Sequence, residues 1–213
     1  MCDRDAQQLY RFEQHPLLVV ISGTSGAGKD SVVKEVVRRA HERGIQARFV
    51  VTATTRPKRE SEVDGIDYFF VSQAQFEKMI VRGELFEHAL VYGHYKGVPK
   101  QQVREAMASG RDVLMRLDIQ GANTVRCIVP EAVLVFITAP SEEELIARLR
   151  QRRTESPEQL QIRLDTAREE MRHIPEFDYV VQNPENRLDE AVETVLAIIA
   201  AEKHRTHPRR AAL

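Results

Sequence analysis

The chain has 213 residues, enough for one α/β domain with small inserted lobes and a proper core. Its 31 Lys and Arg against 32 Asp and Glu leave a net charge of −1, which excludes the basic footprint of a DNA- or RNA-binding protein. No apolar run approaches membrane-spanning length, the polar N-terminus lacks a signal peptide, and the only cysteines, Cys2 and Cys127, lie far apart, so a cytoplasmic protein of a reducing compartment is expected.

Residues 1–14 are polar and read as a loosely held extension. The apolar run Leu17 to Ile21 is a strand that ends in Ser22-Gly23-Thr24-Ser25-Gly26-Ala27-Gly28-Lys29-Asp30-Ser31. Helix is predicted over 29–43, with Val32, Val33, Val36 and Val37 on one face and Gly44 as its stop. Arg48 to Ala53 reads as a second strand. The pattern over 52–98 is irregular and predicts an inserted, partly β lobe: a turn at Asp64-Gly65, a short strand at Tyr68 to Val71, a helix at Ser72 to Arg82, and a strand at Leu85 to Tyr92. Gly93 and Gly97 punctuate its exit.

Regular alternation then resumes. Helices are predicted at Pro99 to Ser109, Gly121 to Ile128, from Ser141 onward, Pro157 to Arg172 and Leu188 to Glu202. Strands are predicted at Val113 to Leu117, Val133 to Thr138 and Tyr179 to Gln182, and the basic tail after Lys203 reads as frayed. Strands alternating with helices imply a parallel sheet covered on both faces.

Two stretches carry chemistry. From Gly23 to Gly28-Lys29 the spacing is that of a phosphate-cradling loop, whose inward N–H groups form an anion nest. The helix dipole and the Lys29 ammonium add positive charge there. The position after the lysine, usually Ser or Thr, is Asp30, followed by Ser31. A carboxylate is a hard oxygen ligand, so Asp30 is the candidate for holding Mg²⁺, directly or through a water. The second stretch, Thr52 to Arg59, follows a strand end, where α/β proteins place ligands. Arg56 and Arg59, three apart in a non-helical segment, can turn both guanidinium forks onto one phosphate.

With these motifs in order, the chain resembles the guanylate kinase family over about Leu17 to Lys203. The likeness is carried by the phosphate loop, Thr54-Thr55-Arg56-Pro57-Lys58-Arg59, Glu62-Val63-Asp64-Gly65-Ile66-Asp67-Tyr68, Leu85-Phe86-Glu87 and Asp118-Ile119-Gln120-Gly121. The resemblance implies a P-loop three-layer α/β fold: a parallel sheet flanked by helices (core about 15–51, 99–140 and 167–203), a GMP-binding lobe at 52–98 and a small helical lid at about 141–166. It implies phosphoryl transfer from ATP to GMP or dGMP with Mg²⁺, and leaves monomer and homodimer both open.

Carried over residue by residue, the resemblance assigns ATP binding to Gly23, Thr24, Ser25, Gly26, Ala27, Gly28, Lys29, Asp30, Ser31 and Asn183. Arg56, Arg59 and Tyr68 go to the GMP phosphate, and Thr52, Glu87 and Asp118 to guanine. Lys29 with the lid arginines Arg148, Arg152 and Arg163 goes to catalysis. Glu87 suits guanine, because one carboxylate accepts from both N1–H and the exocyclic amine. There are departures. Lys96 stands where many members carry Tyr and would put a point charge on the same phosphate. Val98, in place of Ser or Thr, cannot donate to guanine O6. Arg116, where the family often has Asp, is a phosphate-facing cation, a partner for Asp30, or simply a salt bridge on the strand end. A phosphopeptide-binding module and a related P-loop kinase with another acceptor are the rival readings.

Overall fold

The computed structural model describes residues 14–60, 62–91, 93–151 and 157–211. In chain order the elements are β1 (Leu18–Gly23), α1 (Lys29–Glu42), β2 (Ala47–Val50), β3 (Ala53–Thr54), β4 (Phe69–Phe70), α2 (Gln73–Val81), β5 (Leu85–Val91), β6 (His94–Pro99), α3 (Lys100–Ala108), β7 (Asp112–Arg116), α4 (Ile119–Ile128), β8 (Val133–Thr138), α5 (Glu142–Gln151), α6 (Pro157–Arg172), β9 (Tyr179–Gln182) and α7 (Leu188–Lys203).

Five strands form an all-parallel sheet in the order β2-β7-β1-β8-β9. Successive side chains of a strand point to opposite faces, and β1 shows it plainly. Val19 and Ile21 pack with Val32, Val33 and Val36 of α1 and Val192, Val195 and Ile199 of α7. Leu18 and Val20 pack the other way, with Val103 of α3 and Ala122 and Val125 of α4. All six residues of β1 are buried, as in a sheet covered on both faces. The 52–98 region holds the second sheet, β4-β3-β6-β5, with α2 against it and Phe76 stacked on Tyr95 at its centre.

Several expected boundaries move, each for a local reason. The strand expected over Arg48 to Ala53 is two strands in two sheets. Between them the Gln102 amide pairs with both the N–H and the carbonyl of Val51, each at 3.1 Å, so the backbone leaves the core sheet without losing its hydrogen bonds. The segment read as a glycine-punctuated exit contains β6, which pairs antiparallel with β5 and β3. Pro99 ends β6 and stands at the N-cap of α3 rather than inside it. Helix α4 starts two residues early, with the Asp118 carboxylate capping it through the Gly121 N–H. The lid boundary expected at 166/167 falls inside the unbroken helix α6.

The tail expected to fray is tied down through residue 211. Glu202, buried on α7, accepts from Arg209 Nε at 2.9 Å and from the Tyr179 hydroxyl at 2.6 Å, and Ala211 packs on the core. Of the expected extension, residues 1–13 lie outside the described residues, as does Arg152.

Candidate active site

Strand β1 delivers the chain to the glycine loop at the carboxyl end of the parallel sheet. Gly23 has φ +131°, and a Cβ there would lie 1.9 Å from the Ile137 carbonyl oxygen of β8, so only glycine makes this turn. The Lys29 ammonium folds back over the loop, donating to the Gly23 carbonyl at 2.7 Å and the Thr24 carbonyl at 2.8 Å. From behind, Asn183 at the end of β9 donates to the Ala27 carbonyl at 2.8 Å. Arg148 of α5 reaches the same side, donating to the Asn183 carbonyl at 2.6 Å and pairing with Glu144. Both residues thus brace the loop from outside the cleft.

Two adjoining cavities open in front of the loop and share Ser25, Lys29, Asp30, Tyr68, Val91 and Lys96. The deeper one, about 120 Å³, adds Thr52, Glu87, Arg116, Asp118 and Glu170. The wider one, about 430 Å³, adds Gly26, Gly28, Ser31, Arg56, Arg59, His94 and Arg163. Glu87 points from β5 towards the start of α4, its Oε2 so close that a Cβ on Gly121 would be 2.8 Å away. The Thr52 hydroxyl is buried and has no partner among the described residues. Arg56 pairs with Glu62 at 2.7 Å, and its guanidinium lies 5.3 Å from the Tyr68 ring centre. Arg59 is more than half exposed at the rim.

The comparisons with known proteins agree with this geometry. A family model described as guanylate kinase matches residues 15–202. The chain belongs to the guanylate kinase family. It is 52% identical over 195 residues to guanylate kinase 2, chloroplastic/mitochondrial, of Oryza sativa, covering 91% of this chain and 67% of that protein. It is 43% identical over 189 residues to the guanylate kinase of Thermobifida fusca, covering 89% and 93%. The crystal structure of guanylate kinase from Anaplasma phagocytophilum superposes with a TM-score of 0.75 at 28% identity, covering 92% of this chain and 90% of that one.

Electrostatics in this guanylate kinase cleft is set by burial. Desolvation lowers the Lys29 ammonium to about 8, against the pull of Glu170 and Asp30. Desolvation, with the Asp118 charge added, raises Glu87 to about 8, against Lys96 and the Val98 N–H. Burial also pushes Lys96 below the ordinary lysine range; among the described residues its ammonium makes no hydrogen bond or ion pair.

Two groups reach the phosphate loop and its helix from elsewhere in the fold. Arg116 pairs with Asp30, Nη1 to Oδ1 at 3.0 Å, and also lines the deeper cavity. Glu170, on α6, accepts from the Ser25 N–H of the phosphate loop at 2.7 Å. Seven residues before it, Arg163 donates to the Ser25 hydroxyl at 3.1 Å. Two turns of one helix thus bring a carboxylate and a guanidinium to the same loop residue. An Arg and Glu seven apart after a predicted helix start is the only sequence trace of this arrangement.

Among the described residues no group of three or more His, Cys, Asp or Glu is placed to hold a metal ion by itself. One oxygen of Asp30 is held by Arg116 and the carboxylate is over half exposed at the cavity mouth. A single hard carboxylate beside a polyphosphate loop fits Mg²⁺, which takes one or two protein oxygens and the rest from phosphate and water.

Proposed function

We propose that this chain transfers the γ-phosphoryl group of Mg·ATP to GMP or dGMP, giving ADP and the nucleoside diphosphate, in cytoplasmic purine nucleotide metabolism. The observation that carries the reading is the continuity of the cleft. Lys29 and the glycine loop line both cavities, Arg56 and Arg59 line the wider one and Glu87 the deeper one. A phosphate oxygen of GMP attacks the γ-phosphorus, the bond from γ-phosphorus to the bridging oxygen breaks, and ADP leaves. Such an acceptor needs no general base, so the work is positioning and charge neutralisation.

In this reading Gly23 to Ser31 hold the donor polyphosphate, with Asn183 and Arg148 fixing the loop from behind. Arg56, Arg59, Tyr68 and Lys96 take the acceptor phosphate; Lys96 is supported by its place in the lining of both cavities. Glu87, Asp118 and the orphaned Thr52 hydroxyl read the base. Arg163, with Arg152, brings charge from the lid onto the transferred group. Asp30 would hold Mg²⁺ or one of its waters, and the ion would neutralise phosphate charge.

Val98 is fully buried opposite Glu87 on β6, so the hydroxyl contact to guanine O6 has no source at that position. The acceptor preference therefore rests on Glu87, Asp118 and Thr52. Glu87→Gln tests this: the amide cannot accept from both guanine donors, and GMP affinity should fall by about 10- to 100-fold while ATP affinity holds. Equal losses for both nucleotides would refute the assignment.

A further inference from the structure

Arg116 ends β7 at the floor of the cleft and is 7% exposed. Its guanidinium faces α1 and the 52–98 lobe at once, through three contacts. Nη1 pairs with Asp30 of α1 at 3.0 Å. Nη2 donates to the Asp67 carbonyl of the 52–98 lobe at 3.1 Å. Its plane lies 4.6 Å from the Tyr68 ring centre, within cation–π range. A planar fork can serve a carboxylate, a carbonyl and a ring together, whereas an ammonium cannot. Behind it an apolar cavity of about 170 Å³, lined by Val33, Val37, Phe49 and Ile66, leaves the side chain room to shift.

We propose that Arg116 is a positioning residue that couples the acceptor lobe to the metal-side carboxylate, so that GMP and Mg·ATP each strengthen binding of the other. The inference rests on the reading above, in which Tyr68 faces the GMP phosphate and Asp30 faces Mg²⁺. GMP seats Tyr68 and the Asp67 backbone. Both hold the guanidinium, and the guanidinium aims Asp30 with one oxygen left for the metal or its water. Seating Asp30 through Mg·nucleotide fixes the same guanidinium from the other side, because a binding linkage is reciprocal. Arg116 touches neither substrate in this scheme and acts through its neighbours.

Calorimetric titration of GMP tests this. GMP is titrated into the free protein, into protein saturated with Mg²⁺ and a non-hydrolysable ATP analogue, and into the same mixture with EDTA. The wild type should bind GMP about fivefold or more tightly in the second case than in the first, with most of the gain lost in EDTA. Arg116→Met and Arg116→Lys should each bring the ratio close to one. The lysine variant keeps the buried charge and guards against a methionine variant that does not fold. A wild-type ratio of one, or a ratio that survives in a folded Arg116→Lys, overturns the inference while leaving the GMP site intact. Failure of the wild type to bind GMP under any condition overturns the acceptor reading itself, and the coupling with it.

Discussion

At Glu87 the carboxyl proposed to read the base sits in a site that disfavours its charge. Burial and Asp118 hold it at about 8, against 4.5 ordinarily. Between those values the folded chain keeps a proton that the unfolded chain has lost, so stability must fall as pH rises through that window. Glu87→Gln should flatten that part of the stability–pH curve, which denaturant titration between pH 5 and 9 would show. Guanine donates twice to the carboxylate form, so GMP binding at neutral pH should release a proton. Titrations in buffers of different ionisation enthalpy would read the release, and none should occur in Glu87→Gln. Binding that takes up protons instead would mean that the neutral acid faces the ligand.

Residues of this kind were legible in the sequence only where a motif carried them. The glycine loop, Arg56, Arg59 and Glu87 sit in short, ordered segments, and the structure gathers them around one cleft. Glu170 had no such signal, and Arg116 stood out only as a departure with its role left open. Their roles come from contacts across 145 residues to Ser25 and across the sheet to Asp30, and no local pattern encodes a contact of that range.

Among the elements, the lid helix α6 and the closing helix α7 make separable claims. Helix α6 places Arg163 on the Ser25 hydroxyl, one residue from the loop's second glycine. Removing a cation that meets the transferred group should lower kcat by about 10³-fold, so Arg163→Ala is expected to lose turnover with little change in GMP affinity. Unchanged kcat would exclude it from that role. Helix α7 was legible by its apolar period, but not its hold on the tail. Glu202, the last residue of the predicted helix, is 1% exposed and receives Arg209 from beyond the helix. Arg209→Ala leaves that buried carboxylate one charged partner short, at about 1–3 kcal/mol. Thermal unfolding should show it as a lowered Tm with KM values unaltered; an unchanged Tm would mean the tail is only laid on the surface.

For the whole molecule, the alternation of apolar runs and amphipathic helices was enough for the five-stranded parallel sheet, since both periodicities are local. The lobe was harder to read. Its strands β3 and β4 are two residues each; β3 is held between β4 and β6, and β4 has only β3 beside it, long-range pairings that short segments do not announce. Beyond the fold, the cleft carries three charges that depart from the usual family pattern: Asp30 on the helix after the glycine loop, Arg116 paired with it, and Lys96 lining both cavities, which the proposed reading sets between donor and acceptor phosphates. Charge moved between the two halves of one cleft leaves the reaction class alone and concentrates the question on which acceptor fits.

That question has a direct measurement. ADP release from Mg·ATP is followed with GMP, dGMP, AMP, CMP and UMP as acceptors, each at matched concentration. Turnover with GMP and dGMP, at kcat/KM about 10⁴-fold above AMP, is the predicted result. Turnover favouring a pyrimidine or adenine acceptor, or no ADP release with any of the five, would contradict the account at its centre.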